Sequence, residues 1–150
     1  MRLIIKYEII TMLIEMARNS GIEVCGFLFG RREGDDFIVL EARQITNKLE
    51  SQDAFEMEPL KMVRAIDRAE KRGLEIVGIF HSHINCPPVP SGMDLKGMRN
   101  WKVPWLIVTP KGEARAWILT EEGIKEAEIV HPEVARGMFG ENGTTEEFDG

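Results

Sequence analysis

Residues 74–94 read LEIVGIFHSHINCPPVPSGMD, and this stretch decides the fold. Leu74 to Phe80 is almost continuously apolar, the pattern of a central strand covered on both faces. His81, Ser82 and His83 follow at its end, and then a loop with Pro87, Pro88 and Pro90. Ser91 is placed to cap a short helix from about Gly92 to Asn100, with Asp94 in its first turn. On a strand, residues two apart share a face. His81 and His83 therefore aim two imidazoles at one point, and Ser82 faces away.

Working outward, Leu3–Ile5 begins a short strand. Ile9, Leu13, Met16 and Ala17 then repeat at helical spacing until Asn19-Ser20-Gly21. Val24 to Gly30 reads as a buried strand, and Arg31 to Asp36 as a polar turn. Phe37 to Ile45 is its hairpin partner. Pro59 opens a helix that runs to about Arg72, with Leu60, Val63, Ile66 and Ala69 on one face and Gly73 at its end. Trp105–Val108, the turn 109–112 and Ala114–Leu119 form a second hairpin, and Glu126–Val130 adds a last strand. The class is α/β, a mixed sheet with helices packed against it. Residues 1–139 read as one domain, and residues 140–150 as an acidic, disordered tail.

The charge balance narrows the function. The 150 residues carry a formal net charge of −6, which argues against a bulk electrostatic grip on nucleic acid or an anionic membrane. Glu141, Glu146, Glu147 and Asp149 supply four of those charges. The longest stretch free of Asp, Glu, Lys and Arg, Ile76 to Met93, holds two histidines and three prolines and is no membrane span. With no signal peptide in view, the expectation is a soluble cytoplasmic protein. There is no phosphate loop, since Gly26 to Gly30 is a strand, and no nucleophilic Ser-His-Asp candidate.

Two histidines and a carboxylate at the mouth of a sheet suit zinc, whose nitrogen and oxygen ligands lie at about 2.0–2.2 Å. Three protein ligands leave a fourth position open for water, the mark of a catalytic site. Such water needs a base, and a second carboxylate that does not bind the metal serves as base and then as acid. Glu23 is the candidate, a lone carboxylate leading into an apolar strand. Taken singly, each part has a plainer reading: a polar strand edge, a capping box at Ser91-x-x-Asp94, a solvated turn at Glu23. His131, before Pro132, reads as a surface residue.

Taken together, Glu23, then His81-Ser82-His83, seven residues, Ser91, two residues and Asp94 resemble the complete signature of the JAMM/MPN+ metalloprotease family. The similarity spans roughly residues 5–120 and is strongest to the small standalone prokaryotic form. It implies a cytidine-deaminase-like MPN (JAB) domain and a zinc isopeptidase that removes ubiquitin-like proteins from lysine side chains. It implies one zinc held by His81, His83 and Asp94, Glu23 as general base and acid, and Ser91 as oxyanion donor. The alternatives are a protease that trims the carboxy terminus of a ubiquitin-like sulfur carrier, cell-wall-type peptide hydrolysis, and a non-catalytic scaffold. The partner is then a ubiquitin-like modifier ending in Gly-Gly, or its conjugates.

The segment from Asn47 to Glu58 occupies the place where larger members carry a substrate-gripping insertion. Its Leu49, Phe55 and Met57 are candidate substrate contacts, set against an ordinary loop that covers the core. Cys25 and Cys86 flank the site, and a disulfide, two free thiols and a thiolate contact to zinc all stay open. Trp101, Met138 and Phe139 are candidate apolar contacts for a homodimer.

Overall fold

The apolar stretch becomes β4, Glu75–Ser82, buried from Val77 onward. The structure, a computed structural model, describes residues 1–133. β4 lies between β2, Cys25–Glu33, to which it runs antiparallel, and β5, Trp105–Val108, to which it runs parallel. A strand flanked on both edges and covered on both faces has no use for polar side chains until it emerges at its end. That is where the histidines stand.

β2 passes through Gly34 and Asp35 into β3, Asp36–Ile45. Gly34 has φ +61°, the left-handed conformation a two-residue hairpin turn requires. The turn is therefore shorter than the polar run 31–36 suggested. Arg31, Arg32 and Glu33 pair with Ile38, Phe37 and Asp36 and extend the ladder into solvent. β6, Ala114–Thr120, and β7, Gly123–Val130, follow β5 in antiparallel sequence. β1, Arg2–Ile4, pairs in parallel with both β3 and β7, so the sheet closes in the order β1-β3-β2-β4-β5-β6-β7.

Among the described residues three helices pack against this sheet: α1, Tyr7–Arg18, α2, Pro59–Lys71, and α3, Gly92–Met98. One core joins Ile10, Leu13 and Ala17 of α1 to Leu28, Phe80 and Leu106. A second joins Ala65 and Ala69 of α2 and Met98 of α3 to Phe27, Ile79 and Trp105. The buried stripe of α2 differs from the expected one. Leu60 and Val63 are 54% and 63% exposed, while Ala65 and Ala69 are buried, with Met62 and Ile66 packed beside them. Positions 62, 65, 66 and 69 share a helical face equally well, and the two alanines let the helix sit close to the sheet. Pro59 stands at the first position as expected, and the Glu58 carboxylate accepts from the N–H groups of Leu60 and Lys61 at 2.9 and 3.0 Å.

α3 approaches β5 so closely that a Cβ on Gly97 would lie 2.6 Å from the Trp105 ring. A side chain there would force the buried Trp105 ring to shift, and Asp94 lies one turn earlier on the same short helix.

Candidate metal centre

Strand register brings the distant parts of the motif together. Cys25 pairs with His81. One step on, the Val24 N–H donates to Ser82 Oγ at 2.9 Å and the Ser82 N–H donates to the Val24 carbonyl at 3.0 Å. Glu23, one residue before Val24, lies close enough to His83 for their charges to interact. Ser82 thus faces away from the histidines, as expected, and its hydroxyl fastens the two strands where the site begins.

His81 Nε2, His83 Nε2 and Asp94 Oδ2 form a triangle with edges of 3.2, 3.1 and 3.0 Å. All three residues are buried. Corners of a tetrahedron about zinc stand roughly 3.3–3.4 Å apart when its bonds are about 2.0–2.1 Å. The triangle is a few tenths of an ångström tighter than that, so the three donors fit the ion with a small outward movement. His83 Nδ1 lies 2.8 Å from the Pro87 carbonyl. A carbonyl only accepts, so the proton sits on Nδ1 and the Nε2 lone pair is left for a metal. His81 Nδ1 has no hydrogen-bond partner. Its ring is held by packing instead, with Phe55 stacked at 4.6 Å and 30° and Trp105 edge-on at 5.8 Å.

Ser91 and Asp94 form the expected capping box. The Asp94 N–H donates to Ser91 Oγ at 3.1 Å, and the Ser91 N–H donates to Asp94 Oδ2 at 2.9 Å. The cap orients the carboxylate, and Ser91 Oγ, accepting one bond, keeps its own proton for an outside acceptor.

The electrostatics shift the two carboxylates in opposite directions. Burial pushes Glu23, 3% exposed, up to about 7; Asp94 and Asp53 add to the rise and His83 opposes it. Burial also opposes charge on Asp94, but the bonds from His81, His83 and the Ser91 N–H hold it well below the usual carboxylate range. Burial lowers His81 against the pull of Asp94. For His83 the same penalty is outweighed by Asp94 and Pro87, and it is raised. Asp94 is thus held in its charged form, while burial favours the neutral form of Glu23.

Several expectations are corrected. Cys25 and Cys86 are free thiols, so the candidate disulfide is not formed. Cys25 is buried, its thiol donates to the Ile45 carbonyl at 3.3 Å, and burial pushes it up to about 12, which keeps it neutral and unsuited to zinc. Cys86 is exposed. Trp101 is half-buried against Phe27, with rings 5.7 Å apart, and is not a free apolar surface; Met138 and Phe139 lie outside the described residues, as does the 140–150 tail. His131 is partly buried, its Nδ1 2.9 Å from the Ile5 carbonyl, and is no bare surface residue. Leu49 is exposed, but Met57 is buried in the second core. Phe55 and Met57 wall an apolar groove of about 310 Å³ beside Asp94, together with Met62, Met93, Trp101 and Trp105. Asn47 is 5% exposed and bonded to the Glu23 carbonyl, and the sequence offered no sign of its role. An asparagine in a polar loop is unremarked until the loop's fold is known.

The family model of prokaryotic homologues of the JAB domain matches residues 9–120. The chain belongs to this family. It is similar to a desampylase of Pyrococcus furiosus, 50% identical over 129 residues, which cover 85% of this chain and 89% of that protein. A probable TtuB-protein conjugate cleaving protease of Thermus thermophilus is 35% identical over 106 residues, 71% of this chain and 68% of that protein. A Haloferax volcanii desampylase is 32% identical over 115 residues, 75% of this chain and 81% of that protein. Among solved structures, a protein from Desulfitobacterium hafniense superimposes with a TM-score of 0.73 at 28% identity, covering 86% of this chain and 92% of that one. Among the described residues no helix is long and apolar enough to cross a membrane.

Proposed function

We propose that this JAB-domain protein is a zinc peptidase that hydrolyses the isopeptide bond between a ubiquitin-like modifier and a lysine side chain. The observation that carries the reading is the buried triangle of His81, His83 and Asp94, with the buried Glu23 carboxyl near enough to His83 and Asp94 to feel their charges. Its kinship with the desampylases points the same way. Zinc bound there supplies Lewis acidity toward a carbonyl oxygen and lowers the pKa of water from about 15.7 to about 7. Glu23 takes the proton of the attacking water and passes it to the departing lysine amine. Asp94 and the histidines keep the donor set in place. The single site, a domain spanning 1–139 with an acidic tail, the cytoplasmic location and the absence of nucleic-acid or membrane partners belong to the same reading, as does the candidate homodimer.

Ser91 carries a second duty in this scheme, donating its free hydroxyl proton to the oxyanion. Ser91→Ala should lower kcat by about 10²–10³ through that lost donor. It should also cost about 1 kcal/mol of stability through the lost cap. Steady-state kinetics and a urea titration read the two effects separately.

The alternative substrate is the carboxy terminus of a ubiquitin-like sulfur carrier, whose linear peptide bond presents the same carbonyl. The decisive experiment measures zinc content and compares cleavage of a lysine-branched conjugate with that of a linear carrier–peptide fusion, with and without chelator. The expected result is about one zinc per chain, faster cleavage of the branched conjugate, loss of activity on chelation and recovery with zinc. Full activity in the stripped protein overturns the reading, and cleavage of the linear fusion alone transfers it to the alternative.

A further inference from the structure

We infer that Asn47 is a positioning residue that locks the backbone of Glu23 to the 47–57 loop, so that one side-chain amide places both the general base and the ring packed on His81. The inference rests on the peptidase reading for its kinetic consequence and on geometry for its substance. The Asn47 Nδ2 group donates to the Glu23 carbonyl at 3.0 Å and to the Ala54 carbonyl at 3.1 Å. Its Oδ1 accepts from the Leu49 N–H at 3.0 Å and the Glu56 N–H at 3.1 Å. An asparagine side chain has two donor hydrogens and two acceptor lone pairs, and all four are used.

The four partners are not scattered. Leu49, Ala54 and Glu56 belong to the loop itself, which closes through the Lys48 N–H to the Glu56 carbonyl at 2.7 Å and a bridge between Asn47 and Met57. The fourth partner is the base. Glu23 is held from both sides, since its own N–H donates to the Ser51 carbonyl at 2.8 Å. Phe55 sits between two residues bonded to Asn47, and its ring stacks on His81 at 4.6 Å. A loop needing only to cover the core would satisfy its backbone with its own groups or with water. This one uses a buried amide to join itself to Glu23, two residues before β2.

Two substitutions separate the bonds. Asn47→Asp keeps an acceptor for the Leu49 and Glu56 amides but turns a carboxylate oxygen toward the Glu23 and Ala54 carbonyls. Asn47→Ala removes all four bonds. In metal-free protein, hydrogen exchange at the Glu23 amide should accelerate in both variants, because its N–H is held by the Ser51 carbonyl of the same loop and that bond loosens when Asn47 no longer ties the Glu23 carbonyl to it. Exchange at the Leu49 and Glu56 amides should accelerate only in Asn47→Ala. In zinc-loaded protein acting on a branched conjugate, both variants should lose about 10–100-fold in kcat, since a displaced group of about 1 Å costs that much. KM and zinc affinity should change by less than about threefold.

Unchanged Glu23 exchange in Asn47→Asp overturns the inference. So does a kcat within about twofold of wild type, or a kcat loss matched by an equal loss of bound zinc. A wild-type protein that cleaves no conjugate refutes the peptidase reading instead, and the exchange result still decides the coupling.

Discussion

Glu23→Ala should bind zinc as wild type does and lose about 10²–10⁴-fold in turnover. Glu23 is not a corner of the triangle formed by His81, His83 and Asp94, so its removal leaves the ligand set intact. What disappears is the buried carboxyl near His83 that the proposed mechanism uses to take a proton and return it. Glu23→Gln is the stricter version, because it keeps size and polarity and removes only the proton chemistry. The pH profile follows from the same burial. A base must be deprotonated to act, so activity rises with pH through its titration. Burial pushes Glu23 up to about 7 in the metal-free protein, and a neighbouring Zn²⁺ favours the anion and moves the midpoint down. The acid limb of kcat/KM is therefore expected at or below about 7 and should be absent from the residual activity of Glu23→Gln. Metal analysis with the kinetics of both variants checks this. Turnover in Glu23→Ala near the wild-type rate would remove the residue from the mechanism.

Asp94→Ala should abolish both metal retention and activity, a loss of about a thousandfold or more if the ion contributes several kcal/mol to the transition state. The carboxylate does two jobs with one oxygen. Asp94 Oδ2 is the third corner of the triangle and also accepts the Ser91 N–H that caps α3. Alanine removes both; the Ser91 hydroxyl still caps the helix through the residue 94 N–H, so the loss of the reciprocal half of the box should cost about 0.5–1.5 kcal/mol. Asp94→Asn separates them. Its amide oxygen still accepts the Ser91 N–H, so stability should stay near wild type. It has lost the charge that holds the cation, so zinc affinity should still collapse. Competition with a chromophoric chelator and a denaturant titration of both variants read the two effects. An Asp94→Asn protein that holds zinc as tightly as wild type would sink the assignment of this ligand.

Much of this site is local, and what is local can be read along the chain. His81 and His83 share a face because strand geometry alternates, and Asp94 follows Ser91 at the spacing of a capping box. Gly34 turns a hairpin and Pro59 starts a helix for reasons contained within a few residues. Glu23 could be singled out as well, as a lone carboxylate entering an apolar strand and, above all, through its resemblance to a known motif, and the structure shows it buried.

Contacts between distant residues could not be read in that way. Closure of the sheet depends on the three residues of β1 finding both β3 and β7. α2 buries Ala65 and Ala69 rather than Leu60 and Val63, because the neighbouring wall decides which of two adequate helical faces turns inward. Cys25 and Cys86, suspected partners by sequence position, are separate thiols because one points its hydrogen to the Ile45 carbonyl while the other stays exposed. The type of each element and the identity of the chemical groups were determined by the sequence alone, since propensity, periodicity and capping act over a few residues. The meeting of Glu23 with His83, the stacking of Phe55 on His81 and the fourfold bonding of Asn47 were decided only by the tertiary structure. They depend on strand register and loop closure, which join residues far apart in the chain.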